Sequence, residues 1–360
     1  MRETSPLLDR AYGRAAAGER LSPEDGVALL AHGDLHLIGA LAHQRRMALH
    51  PEPVVTYIVE RNINYTNACV TYCRFCAFYR RPGHKEAYLL SHDQIARKID
   101  EILPQGGVQI LLQGGHHPDL KLEWYEELLR FLARSYPSVH VHGFSAPEIE
   151  HIAQVSGLPI AETIGRLRAA GLGTIPGAGG EMLVDRVRNE IAPLKTTSEA
   201  WLDVHRTAHG LGMRTTATMM FGHVETPAER IEHLEKVRAL QDERGGFTAF
   251  ILWTFQPDNT AMWRVPRLES HAYLKTAAVA RLYLDNVDNL QASWVTQGPR
   301  VAEVSLRFGV NDMGSTMFEE NVVSAAGTTF AMNAAEIERS IEAAGFSPRR
   351  RNVYYQELAA

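Results

Sequence analysis

Asn64-Tyr65-Thr66-Asn67-Ala68-Cys69-Val70-Thr71-Tyr72-Cys73-Arg74-Phe75-Cys76 follows a β-rich run over residues 56–63 and holds all three cysteines of the 360-residue chain. An odd, tightly spaced set of thiols favours a metal site over a disulfide framework. Thiolates select zinc, copper(I) or iron–sulfur clusters. A structural zinc site takes four protein ligands, so a histidine such as His84 would have to complete it. An electron-transfer cubane wants a fourth cysteine. A cubane held by three cysteines instead leaves one iron open to a small molecule, the counterpart of a catalytic zinc site with a free position.

Working outward from this loop, short β-rich runs alternate with helical segments. The runs after 56–63 fall at 109–113, 140–144, 174–175, 214–220, 246–254, 290–295 and 304–308. Ser91 with Gln94, Thr226 with Glu229 (Pro227 between them) and Asn333 with Glu336 read as capping boxes that start helices. Gly171, Gly210, Gly245 and Gly345 sit where helices should stop. Eight alternations predict an α/β chain folded as a (β/α)8 TIM-type barrel, with a doubly wound sheet as the competing arrangement. The expected organisation is an N-terminal helical extension over 1–50, the barrel over 51–328, and C-terminal helices over 329–360.

Composition narrows the function classes. The chain is 45% hydrophobic and 22% charged, with a formal net charge of −5. These are the values of a globular protein with a core large enough to need no disulfide staples. No Lys/Arg run marks a nucleic-acid footprint. No window nears the roughly 20 apolar residues of a membrane span. The polar start Met1-Arg2-Glu3-Thr4-Ser5-Pro6 does not read as a secretion signal, so a cytoplasmic location is expected.

Polar residues cluster after nearly every strand, where such barrels build their active sites. The clusters include Gln113-Gly114-Gly115, Ser145 to Glu148, Gly179-Gly180-Glu181, His223 to Glu225, Gln256 to Asn259, Thr296-Gln297 and Asn311-Asp312. Polar βα loops are common in any case. The run Gly177 to Glu181 matches no phosphate loop and is expected to be a flexible loop aiming Glu181 into the mouth. His140 and His142 share a strand face, and hydrogen-bonded packing is preferred to a second metal.

The C-x3-C-x2-C spacing with Phe75 before the last cysteine resembles the signature of the radical S-adenosylmethionine (SAM) superfamily. Residues 64–80 as a whole resemble the group that holds aminofutalosine synthase, dehypoxanthine futalosine cyclase and the deazaflavin synthase subunits. Residues 215–225, 247–259 and 291–298, with Asn311-Asp312 and Glu319-Glu320-Asn321, are most similar to the cyclase family. The likeness spans about 57–328. It departs at His116-His117 and in the order of the residues before Glu181.

The resemblance implies a 4Fe–4S cluster on Cys69, Cys73 and Cys76, with SAM on the open iron. It also implies cyclisation of dehypoxanthine futalosine in menaquinone biosynthesis. Hydrogen would leave ribose C4′ for a 5′-deoxyadenosyl radical, and the carbon radical would add to the benzoate ring. Candidate SAM contacts are Tyr65, Phe75, Phe78, Gln113, Gly114, Gly115, Glu148 and Glu181. Candidate substrate contacts are Asn64, Thr66, Arg80, Thr254, Gln256, Asn259, Thr296 and Gln297, with Arg80 for the benzoate carboxylate. His223, Glu225 and Asp312 are the candidate proton acceptors. A flavodoxin or ferredoxin is the implied electron donor. Aminofutalosine synthase, another enzyme of the group, and a non-catalytic zinc or iron–sulfur protein remain the alternatives.

Overall fold

The structure is a computed structural model that describes residues 6–358; the polar start Met1 to Ser5, read above as no secretion signal, lies outside the described residues. Three helices, Pro6–Ala17, Pro23–His32 and Leu35–Leu49, come first. The second begins at a reciprocal capping box in which Ser22 and Asp25 satisfy each other's backbone N–H groups.

The first β-rich run is two strands, β1 (Val54–Ile58) and β2 (Glu60–Asn64), separated only by Val59. Then follow β3 (Gln109–Gln113), β4 (His140–Gly143), β5 (Thr215–Phe221), β6 (Phe247–Thr254), β7 (Leu290–Gln291), β8 (Asp312–Ser315) and β9 (Ser347–Arg350). All named pairings are parallel. They run β2–β3–β4 and β5–β6–β7–β8–β1. Thr174 and Ile175 bridge the gap, pairing with His142 and Thr215 respectively. Because β1 leads directly into β2, the pairings form a ring of eight staves: a (β/α)8 barrel.

The split at Val59 lets the two halves of the first stave face different neighbours. β1 pairs with β8 on one edge and with β9 on the other, whereas β2 pairs with β3. The C-terminal segment therefore differs from the expected helices alone. After the helix Ala334–Ala343, β9 returns to the sheet and carries the tail into the barrel interior.

Two expected strands are corrected. Residues 304–308 are not the eighth strand: Pro299–Ser305 is helical, with Pro299 at its first position. Ala302, Ser305 and Leu306 are buried at helical spacing, and that periodicity overrides the β propensity of Val301 and Val304. The true eighth strand, Asp-Met-Gly-Ser, has no β-rich signal because polar residues are buried there. The seventh run stops after Gln291, and Trp294–Gln297 forms a helical turn. The capping boxes at Ser91, Thr226 and Asn333 all form.

Along β2 the residues Glu60, Asn62 and Asn64 alternate with Arg61 and Ile63, and the first three line an interior cavity. Gln109, Leu111 and Gln113, their register partners on β3, do the same. The period of two thus brings a row of polar side chains into the lumen along β2, while Ile63, Ile110 and Leu112 pack outward without exposure.

Candidate active site

The cavity has a volume of about 360 Å³ and extends from the cysteine loop to the tail residues Arg351, Val353 and Tyr355. All three cysteines line it and none is in a disulfide. Their loop is fixed by its backbone. Cys69 N–H donates to the Arg80 carbonyl at 2.9 Å, Val70 N–H to His116 at 3.1 Å, and Arg74 N–H to Ile191 at 2.8 Å. Tyr72 turns the chain with φ of 48°. Thr71 Oγ1 lies 2.9 Å from Cys69 Sγ and 3.6 Å from Cys73 Sγ.

Burial pushes the Cys73 thiol up to about 12 and raises Cys76 as well. Thiolates here therefore need a metal to hold their charge. Among the described residues no three His, Cys, Asp or Glu groups converge on a single ion. A cluster, in which each iron takes one thiolate, spreads its ligands farther apart than a zinc ion does. The donor set fits the cluster and leaves the zinc reading without a fourth ligand; His84 Nδ1 instead accepts from the Glu86 N–H.

The Gly-Gly pair packs against this loop. A Cβ at Gly115 would lie 2.3 Å from the Ala68 carbonyl oxygen and 2.9 Å from Cys69 Cβ. A Cβ at Gly114 would meet the Tyr65 ring at 2.5 Å. Glu148 holds the pair in place: one carboxylate oxygen accepts from Gly114 N–H at 2.9 Å and Tyr65 O–H at 2.8 Å. The other accepts from Ser145 N–H and O–H as the capping box of helix Ala146–Ser156. Burial raises the Glu148 pKa against the pull of these donors. Gln113, Gly114, Gly115, Glu148, Phe75 and Phe78 line the cavity, while Tyr65 is fully buried behind it.

Glu181 also reaches the cavity, at a φ of 28°. Lys195 Nζ lies 2.8 Å from its carboxylate, and Arg188 is 3.8 Å away. The Lys195 ammonium sits 5.4 Å from the Phe75 ring centroid. The loop carrying Glu181 is pinned, contrary to the flexible loop expected. Arg188 donates to the Gly179 and Gly180 carbonyls, Gly177 N–H to Thr216 Oγ1, and Thr218 O–H to the Gly177 carbonyl.

The three candidate proton acceptors do not line the cavity. Glu225 accepts from Gly222 N–H, His223 N–H and Arg230, and its oxygen lies 3.0 Å from His223 Nδ1. Burial pushes its carboxyl up, but His223, Arg230 and the Gly222 amide outweigh this and leave it well below the usual range. His223 Nε2 is 3.1 Å from the Met220 carbonyl, so this pair locks the loop after β5. Asp312 is fully buried and held by Arg351 at 2.5 and 2.8 Å, Thr56 O–H at 2.5 Å and Gly314 N–H at 2.8 Å. Its acceptor positions are taken.

Of the candidate substrate contacts, Asn64 and Thr296 line the cavity. The other six are engaged elsewhere. Thr66 donates to the Tyr88 carbonyl, and Arg80 binds Glu86 and the carbonyls of its own loop. Gln297 and Gln256 both donate to Thr254 Oγ1, and Asn259 donates to Ala325.

Several lumen residues had not been singled out. Glu60 and Asn62 carried a readable signal in the alternation of Glu-Arg-Asn-Ile-Asn after β1, and Gln109 enters the lumen as the register partner of Glu60. Lys195, Arg351 and Tyr355 come from loops and the tail, where no period announces them, and Glu320, noted in the sequence only as part of the likeness to the cyclase family, reaches the lumen from such a loop as well. His140 Nε2 and His142 Nδ1 each lie 2.7 Å from Thr174 Oγ1, the hydrogen-bonded packing expected for the pair.

Residues 63–237 match the family model described as the radical SAM superfamily, and 244–360 match the CofH/MqnC C-terminal region. A cyclic dehypoxanthine futalosine synthase of Halalkalibacterium halodurans is 47% identical, over 97% of this chain and 94% of that protein. One so named from Streptomyces coelicolor is 45% identical, over 99% and 89%. An aminodeoxyfutalosine synthase of Thermus thermophilus is 40% identical, over 98% and 96%. Among solved structures, the FeFe-hydrogenase maturase HydG from Carboxydothermus hydrogenoformans superposes with a TM-score of 0.74 at 16% identity, covering 97% of this chain and 80% of that one. Methylornithine synthase gives 0.67 at 16%, covering 94% and 97%. At such identity the structural likeness speaks for the fold alone.

Proposed function

The chain belongs to the radical SAM superfamily, in the group marked by the CofH/MqnC C-terminal region, and from that premise we propose that it cyclises dehypoxanthine futalosine for menaquinone biosynthesis. The observation that carries this reading is three cysteines, two of them buried, rimming the barrel lumen in a chain 47% identical, nearly end to end, to a relative of that name. Cys69, Cys73 and Cys76 would hold a 4Fe–4S cluster with one iron left for SAM. When bound, that pair supplies a 5′-deoxyadenosyl radical able to take hydrogen from ribose C4′.

The chain's own residues bind, orient and exclude water. Gly114 and Gly115 bring backbone close to the cysteine loop, and Glu148 and Tyr65 hold them there. The Glu181–Lys195 pair offers one charge of each sign, matching the amino and carboxylate groups of SAM. Deeper in the lumen, Asn62 Oδ1 and Gln109 Oε1 are buried acceptors without a partner among the described residues. Gln109 already donates to Glu60, so its free oxygen is fixed as an acceptor. Ribose hydroxyls are the donors such oxygens need. Trp253, Phe78 and Tyr79 supply apolar wall for the benzoate ring.

Among the described residues no helix is long and apolar enough to cross a membrane. A cytoplasmic enzyme reduced by a flavodoxin or ferredoxin completes the reading. The test is anaerobic reconstitution with iron and sulfide, followed by reduction with SAM and dehypoxanthine futalosine. Free 5′-deoxyadenosine and a product two hydrogens lighter than the substrate, both lost in Cys73→Ala, are expected. An adenosyl group retained in the product would instead place the chain with the synthases.

A further inference from the structure

Cyclisation onto an aromatic ring expels a proton, and the three residues singled out from sequence to take it lie outside the cavity. Four carboxylates do line it: Glu60, Glu148, Glu181 and Glu320. Three of them are committed. Glu60 accepts from the Gln109 and Ser315 side chains and is attracted by the Arg351 cation, Glu148 accepts four donors, and Glu181 pairs with Lys195.

Glu320 differs in kind. Its oxygens accept only from the backbone N–H groups of Val322 and Val323, at 2.9–3.4 Å. Among the described residues no cation pairs with it. The residues on either side fasten the loop so that Glu320 faces inward. Glu319 is held on one side by Arg61 and Lys98. Asn321 reaches the other way, donating to Asn64 Oδ1 within the lumen at 3.3 Å. Glu320 retains some accessible surface, and it lies along the cavity wall.

We propose that Glu320 is the catalytic base that receives the ring proton in the cyclisation. This assignment rests on the cyclase reading given above. The balance is complete. The C4′–H bond breaks homolytically and its hydrogen goes to the 5′-deoxyadenosyl radical, and a C4′–ring carbon bond forms. The ring C–H at the new bond then breaks, its proton passing to a Glu320 oxygen. The remaining electron goes to an oxidised iron–sulfur cluster, the class of centre that donated one at the start. No net reductant is consumed, and SAM serves as the oxidant, leaving as methionine and 5′-deoxyadenosine.

The electrostatics suit the role. Burial pushes the Glu320 carboxyl up to about 7, the neighbouring Glu319 charge adds to that, and the two amides pull against it. Arg61 and Lys98 neutralise Glu319 on the far side, which limits its effect. A base poised near the working pH transfers protons most efficiently.

The experiment compares wild type, Glu320→Gln and Glu320→Asp with C4′-deuterated dehypoxanthine futalosine across the pH range on both sides of 7. Glu320→Gln should still pass deuterium into 5′-deoxyadenosine, while cyclised product per 5′-deoxyadenosine falls by about 10²-fold or more. The rise of product rate through pH 7 should vanish with it, and Glu320→Asp should restore part of both. An infrared titration of the oxidised protein without SAM provides a readout apart from turnover. A carboxyl band titrating near 7 should be present in wild type and absent in Glu320→Gln. An unchanged product ratio and pH profile in Glu320→Gln, or no such band in wild type, would overturn the assignment. A wild-type protein that releases no cyclised product would instead overturn the cyclase reading on which it rests.

Discussion

Gly115→Ala tests whether the Gly-Gly pair acts as a spacer for the cysteine loop. The added Cβ would sit 2.3 Å from the Ala68 carbonyl oxygen, where real contacts essentially never fall below 3.0 Å. Ala68 or Gly115 must therefore retreat by about 0.7 Å, a distance set by close packing. The retreat is difficult on either side. Gly115 N–H donates to the Thr66 carbonyl at 2.9 Å, and Ala68 N–H donates to Thr66 Oγ1 at 3.2 Å. Ala68 is bonded to Cys69, so the shift passes directly to the first thiol. Displacements near 1 Å at a reacting centre cost roughly 10²-fold in rate. We expect Gly115→Ala to fold but to lose iron and sulfide stoichiometry, and to cleave SAM roughly 10- to 10²-fold more slowly. Iron and sulfide content, the visible spectrum and the rate of 5′-deoxyadenosine release measure this. Full cluster loading with an unchanged cleavage rate would refute the spacer argument.

Two further outcomes concern stability. Arg351→Met leaves Asp312 as an uncompensated buried charge and should cost about 3–5 kcal/mol, with Asp312→Asn in the same chain recovering part of it. With about 2.1 cal/mol/K of unfolding entropy per residue, a 360-residue chain should lose roughly 5 °C in Tm, which calorimetry would detect. Burial pushes the Asp25 carboxyl up, but Arg14, the Ser22 amide and Arg10 outweigh it and hold it at about 2. Its folded pKa lies below the ordinary 3.8, so its stabilisation is present above pH 4 and is lost as pH falls through 2. Because both arginines are substantially exposed, the contribution is about 1–2 kcal/mol. Asp25→Asn should lower stability at pH 7 and leave it nearly unchanged at pH 2 in urea titrations.

Legibility followed the kind of signal each element carries. The cysteine spacing, the capping boxes at Ser91, Thr226 and Asn333, and strands such as β3 and β6 are local features, and local reading finds them. The eighth stave is not local. Asp312 to Ser315 is strand because its neighbours on β1 and β7 complete the ring, and Asp312 is buried because Arg351 arrives from the tail. At the site, residues at the βα ends were visible as polar clusters, but composition could not tell which faced the lumen. His223 and Glu225 looked chemically able, yet the carboxylate is spent on the amides of its own turn. Glu60 and Asn62 could have been found from the period-two polarity of β2. Lys195 and Glu320 reach the cavity by loop paths that no periodicity encodes.

The transfer of hydrogen from the substrate tests the central claim most directly. Reconstituted, reduced protein given SAM and dehypoxanthine futalosine deuterated at C4′ should yield 5′-deoxyadenosine carrying one deuterium, together with the cyclised product, as read by mass spectrometry. Release of 5′-deoxyadenosine without deuterium, or no SAM cleavage in protein whose cluster is fully loaded, would contradict it.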